Sequence, residues 1–186
     1  PIHVSLEPGD HNHYRVGLGY GTDTRQRISL TWRTPLLNER GHHQETRLEY
    51  TPVRPRGSFT YSIPLSHPLN DNLRLSARAE TNEYGSLDSQ QLEAAIRREW
   101  LIGDWVASVG LRGLWEEWEV GGEDRNNNYL LPGISMAHTR RIGNPLDPDG
   151  GFSQLYSLEA GFDQAGSDID LQRILANWRT VLRLGR

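Results

Sequence analysis

Four histidines, His11, His13, His42 and His43, fall in two close pairs, a spacing at which imidazoles can share a metal ion. No cysteine or acidic ligand sits beside them, so exposed histidines are the plainer reading. Glu116, Glu117 and Glu119 interleave with Trp115 and Trp118, and two carboxylates two residues apart on a strand could act as an acid–base pair on a glycoside. Nothing supplies the apolar pocket that would raise one pKa, so a solvated strand end facing the exterior is expected. Asp147, Asp149, Gly150 and Gly151 have the composition of a calcium loop without its later glutamate, which points to a proline-terminated turn. Gly17, Gly19 and Gly21 could be taken for a phosphate-cradling loop, but they repeat every second residue and no helix follows. No serine stands in a Gly-x-Ser-x-Gly elbow and no His–Asp partner is legible. These residues disfavour an enzyme and call for no cofactor and no metal.

The elements carrying these residues are strands. Tyr14, Val16, Leu18 and Tyr20 fall on one face of an extended chain, and Arg15, Gly17, Gly19 and Gly21 on the other. Ile28, Leu30 and Trp32 then alternate with Arg27, Ser29, Thr31 and Arg33. Leu73, Leu75, Ala77 and Ala79 alternate with Arg74, Ser76, Arg78 and Glu80, and the pattern returns from Trp105 to Glu116. A soluble sandwich would turn the apolar face inward; an outer-membrane barrel turns it to lipid and keeps the charged face in a wet lumen. Alternation alone leaves both open.

Composition narrows the choice. The 186 residues include 19 glycines, six tryptophans and seven tyrosines, with no cysteine, and all 20 basic residues are arginine. Against 24 acidic residues the charge is balanced, which excludes a dedicated nucleic-acid surface. The missing cysteines exclude a disulfide framework. No run approaches the roughly 20 apolar residues of a membrane helix. The mean hydropathy of -0.67 looks soluble, but barrel strands show only every second residue to lipid and escape such averages. The chain starts at Pro1 and opens on no signal peptide, and is read as a processed or excised segment.

Turn signals recur at Gly21 to Thr24, Pro35 to Gly41, Pro52 to Gly57, Pro64 to Asn72, Glu83 to Ser89, Ile102 to Asp104, Gly121 to Asn128, Arg140 to Gly151 and Asp163 to Asp168. They predict about ten strands joined as consecutive hairpins. Gln90 to Trp100 contains good helix formers, yet its strand spacing outweighs propensity. Ile169 to Leu184 reads as a strand whose register or face shifts midway. Tyr14 and Tyr20, Trp32, and Trp105 and Trp115 stand at the ends of apolar runs, where an interfacial girdle requires aromatic rings.

YRVGLGYGTDT, Tyr14 to Thr24, followed by TWRTPLLNERGH, Thr31 to His42, resembles the first two barrel strands and first periplasmic turn of the TamA family, in the Omp85 superfamily. PGISMAHTRRIGNPLDPDG, Pro132 to Gly150, and GSDIDLQRI, Gly166 to Ile174, resemble its eighth to tenth strands. The most specific feature is the spacing of Trp32, Pro35, Asn38, Gly41 and His42. PIHVSLEP, Pro1 to Pro8, resembles the last strand of a POTRA domain, so that residues 1–13 are its end plus a hinge and residues 14–186 the N-terminal portion of a barrel.

The resemblance implies an all-β, antiparallel, up-and-down transmembrane barrel in a Gram-negative outer membrane. It would assist insertion or secretion of outer-membrane proteins such as autotransporters, with a TamB-like inner-membrane partner, nascent outer-membrane proteins and lipid as its contacts. The implied site is the first strand, Tyr14, Arg15, Val16, Gly17, Leu18, Gly19 and Tyr20, whose unpaired backbone groups could template an incoming strand while its glycines keep native pairing weak. The plainer reading is an ordinary edge awaiting a missing final strand. BamA and two-partner secretion transporters are the nearest rivals, with a passive channel barrel or a soluble β-sandwich binding module as other classes. The chain holds only about the first ten strands of the larger family barrel. The sheet is therefore expected to stay open, with Ile169 to Leu184 not meeting Tyr14 to Tyr20.

Overall fold

The computed structural model describes residues 11–22, 25–84, 87–144 and 147–182. The proposed POTRA strand at Pro1 to Pro8 lies outside them. The described residues form one ten-stranded antiparallel sheet in sequence order: β1 (His13–Gly21), β2 (Arg25–Thr34), β3 (His43–Tyr50), β4 (Arg56–Pro64), β5 (Asp71–Tyr84), β6 (Leu87–Ile102), β7 (Trp105–Val120), β8 (Glu123–Asn144), β9 (Asp147–Gly161) and β10 (Leu171–Leu182). Asp163–Ala165 forms one 3-10 turn, and no α-helix occurs among the described residues. Each strand pairs only with its chain neighbours, so β1 and β10 are edges and the sheet is unclosed.

Registers carry the alternation across the sheet. One row runs Leu18, Ile28, Tyr50; another runs Leu75, Ile96, Leu111, Pro132. A register slip of one residue would send every apolar side chain to the other face. On the apolar face Val16 is 67% and Leu18 80% exposed, while the polar-face positions of β8 from Asn127 to Ala137 are buried or half-buried. The polar face is thus the concave one.

Among the described residues no second layer covers the apolar face. Ala107 and Leu131 are the buried hydrophobic residues among the described ones, and no large side chain is fully buried. The accessible surface is 14091 Å². A compact monomer of this 21.2 kDa mass exposes about 9,100 Å² by mass scaling. A sandwich would have closed that gap by packing a second sheet on the first.

The turns are tighter than the broad signals in the sequence. Gly121 and Gly122 both have positive φ, 64° and 86°, which two-residue hairpins of the primed type require. The ladder therefore reaches Val120 and Glu123, and residues expected in a turn up to Asn128 belong to β8. Gln90 to Trp100 lies within β6, as its spacing predicts. The expected shift within β10 does not occur, because Leu171 to Leu182 pairs with β9 in one uninterrupted register. Ile174, Ala176, Trp178, Thr180 and Leu182 share one face throughout. The irregularity lies instead between Ile142 and Gly143, where Gly143 has a φ of 92° and β8 bulges against β9.

Candidate functional site

The first strand is half-paired along its whole length. All nine residues of β1 match β2, from His13 opposite Arg33 to Gly21 opposite Arg25, and no described strand pairs with its other side. Tyr14, Val16, Leu18 and Tyr20 project from the apolar face and are exposed. Arg15, Gly17 and Gly19 take the concave side. A Cβ at Gly17 would lie 2.6 Å from Ser29 Oγ, so the glycine admits the β2 serine below it. Gly19 faces Arg27 across the ladder. Glycines supply no side chain to pack and give the strand a pairing weaker by about 0.5–1 kcal/mol each relative to alanine.

The two ends of β1 are not equivalent. At its start, Asn12 Oδ1 accepts hydrogen bonds from Trp32 Nε1 at 3.0 Å and Thr34 Oγ1 at 2.7 Å. Gln44 Nε2 donates to Thr34 Oγ1 at 3.1 Å and extends the clamp to β3. Tyr14 stacks on Trp32 with ring centroids 6.1 Å apart. At its far end Tyr20 is 80% exposed, opposite Gln26. The strand is held where it enters the sheet and loosely packed where it leaves.

The distinctive spacing around the turn between β2 and β3 proves to be turn chemistry. Asn38 Oδ1 accepts from the backbone N–H of Arg40 and His42, Gly41 has a φ of 78°, and Leu37 N donates to His42 O at 2.7 Å. His42 Nδ1 shares a 2.8 Å hydrogen bond with Tyr61. The four histidines do not converge: no metal-competent cluster of three or more ligands occurs among the described residues. Glu116 accepts a hydrogen bond from Gln91 on the concave face, while Glu117 and Glu119 are exposed on the opposite face at the strand end. Glu116 and Glu117 thus stand on opposite faces of β7 and do not face each other as a carboxylate pair.

Concave charges pair across strands. Arg112 bridges Glu93 at 3.2 Å and Glu159 at 3.0 Å, and Glu49 receives Arg27 at 2.5 Å and Arg56 at 3.0 Å. Among the described residues one ion pair breaks the pattern by standing on the apolar face. Arg98 Nε and Nη2 reach Asp71 Oδ1 and Oδ2, each at 2.9 Å, with the guanidinium 5.4 Å from the Trp100 ring. Ser66 Oγ donates to the same carboxylate at 2.6 Å. Asp71 is the first residue of β5, at the rim beside a turn, where Arg98 and then Ser66 hold its carboxyl well below the usual carboxylate range.

The same face carries a band of rings at one level. Trp105 stacks on His138 at 5.0 Å, His138 lies 5.4 Å from Phe152, and Tyr156 meets Trp178 at 5.7 Å. Trp115 ends the apolar run on β7 at the other level, ten residues on from Trp105, about the length a tilted strand needs to cross a bilayer. Neither Asn12 nor the Asp71–Arg98 pair was singled out in the sequence; Trp100, two residues beyond an arginine on the apolar parity, was the available signal.

No family model matches the sequence. Among solved structures, the chain is similar to BamA from Haemophilus ducreyi lacking POTRA domains 1–3, with a TM-score of 0.74 and 10% identity. The match covers 91% of this chain and 37% of that one, so the chain spans well under half of the neighbour. The likeness is one of fold, in which the ten-stranded sheet resembles part of that chain.

Proposed function

We propose that this sheet is the N-terminal portion of an Omp85-type barrel in a Gram-negative outer membrane, where it assists the assembly of other outer-membrane proteins. The observation that carries the reading is the pairing of an uncovered apolar face with a free, glycine-bearing edge at β1. Lipid satisfies the face. An incoming strand satisfies the edge, because its N–H and C=O groups complete the ladder that β1 leaves half-made. No side-chain catalysis is involved. Opening begins at the Gly19–Tyr20 end, since the Asn12 clamp holds the start.

The likeness to BamA supports the general class, and a BamA-type role is compatible with it. The residues at Tyr14 to Thr24, Thr31 to His42 and Pro132 to Gly150 favour a TamA-type role, with a TamB-like inner-membrane partner and autotransporters among the clients. A photoreactive residue placed at Leu18 and, separately, at Leu92 in mid-sheet tests the proposal in Gram-negative cells synthesising outer-membrane proteins. Adducts with newly made barrel proteins at position 18 and not at position 92 support it. Equal labelling at both positions, or none at 18, overturns it.

A further inference from the structure

The charge on the concave face is unevenly placed. Two recesses of about 470 and 300 Å³ lie side by side over β2 to β5 and share Arg47 and Ser58 in their walls. Six arginines line them: Arg27, Arg33, Arg47, Arg56, Arg74 and Arg78. Four carboxylates reach these guanidiniums, and they are spread thin. Glu49 serves both Arg27 and Arg56, Glu80 serves Arg78 together with Arg54, Glu45 takes Arg47 and Glu99 takes Arg74. Arg33 makes no ion pair among the described residues. The floor between them is hydroxylic, with Thr60 and Ser62 beside Arg33 and Arg74, and His43 adds a further donor.

The shape of this excess identifies its ligand. Arg27 and Arg33 stand six residues apart on one strand, which at about 3.4 Å per residue spaces them roughly 20 Å along the trough. A single phosphate or carboxylate cannot answer charges spread over that length. An extended chain with carboxylates on alternate residues can, since its own repeat matches the strands beneath it, and guanidiniums favour carboxylate oxygens through paired N–H donors.

We propose that the concave trough over β2 to β5 binds an extended, acidic polypeptide segment, with Arg33 and Arg74 as its principal anchors. The proposal needs the polar face to be the concave one and does not depend on β1 pairing a client.

The test uses the chain in nonionic micelles, which cover the apolar face, and a fluorescein-labelled peptide of alternating Glu and Ser. Anisotropy should show binding at least about tenfold tighter than for the matching Gln–Ser peptide, weakening as salt rises. Arg33→Gln with Arg74→Gln should weaken it by about tenfold, while Arg33→Lys with Arg74→Lys, which keeps the charge but not the paired donors, falls between the two and Arg179→Gln, on β10 away from the trough, changes nothing. Strand content by circular dichroism serves as the check that each variant is folded. Equal binding of the Gln peptide, or equal loss in the Arg179 variant, overturns the proposal. Complete displacement by inorganic phosphate at matched anion concentration, or an equal arginine-dependent affinity for phosphatidylglycerol vesicles, would also overturn it in favour of a small-anion or a lipid site. Photo-adducts at position 18 should persist in the arginine variants, which separates the failure of this site from the failure of the β1 edge.

Discussion

Trp32 Nε1 donates to Asn12 Oδ1 across 3.0 Å, tying the residue that precedes β1 to the far end of β2, at the open end of the sheet's first hairpin. Thr34 Oγ1 donates to the same oxygen at 2.7 Å. Asn12→Ala leaves the Trp32 and Thr34 donors without their partner and should cost about 1–2 kcal/mol locally. Hydrogen exchange in micelles should show faster exchange over Tyr14 to Val16 and little change in β4 to β8. Unchanged protection at Tyr14 would mean that the ladder alone holds the strand.

The apolar face gives a second prediction. Leu75 and Val109 lie on rows of outward residues, and an arginine at either should cost roughly 2–4 kcal/mol near the bilayer midplane. Ser76→Arg, facing the concave side, should be better tolerated. Ser108 is a poor control, since it is buried and bonded to Ser135 at 2.7 Å. Membrane insertion measured by protease protection separates the two sets; equal damage would mean that both faces are packed.

Asp71 gives a pH dependence. Its folded carboxyl is held below the usual range by Arg98 and Ser66, so the unfolded chain takes up a proton first as pH falls. The stabilisation is complete above the ordinary carboxylate pKa and is lost as pH drops toward the folded value. Urea midpoints in micelles should therefore fall between about pH 6 and about pH 3, an interval that brackets the ordinary carboxylate pKa, and Asp71→Asn should flatten that fall while lowering the midpoint at neutral pH. A parallel profile in the variant would remove Asp71 from the account.

Topology follows from counting hairpins. With β1 rising from the periplasmic side, the turn at Asn70 faces the periplasm and Asn127 lies near the exterior end of β8. Cysteines placed at both sites in intact cells should be labelled by an impermeant maleimide at 127 and not at 70. The reverse pattern would invert the barrel.

Fold class was legible because period-two alternation leaves a mark on each strand, and the choice of a barrel over a sandwich followed from aromatic rings at the ends of the apolar runs and from the resemblance to the TamA family. Strand ends were not. Glu123 to Asn128 looks like a turn by composition, yet Gly121 and Gly122 close the hairpin in two residues and let those polar residues pair. The β1 edge was legible as an alternating strand with glycines, but its clamp was not, because Asn12 acts through residues twenty and more positions away. Arg98 was hidden for a related reason. Its partner Asp71 sits 27 positions earlier and becomes a neighbour only through the β5–β6 register.

The most direct test of the central claim is disulfide mapping between β1 and the terminal strand of an outer-membrane protein caught during assembly. Cysteines at Val16 and Leu18, paired one at a time with a series on the client, should each link to one client position, and the two client positions should lie two residues apart, as a hydrogen-bonded ladder dictates. Links scattered over the client strand, or the same yields from Leu48 on β3, would contradict the account.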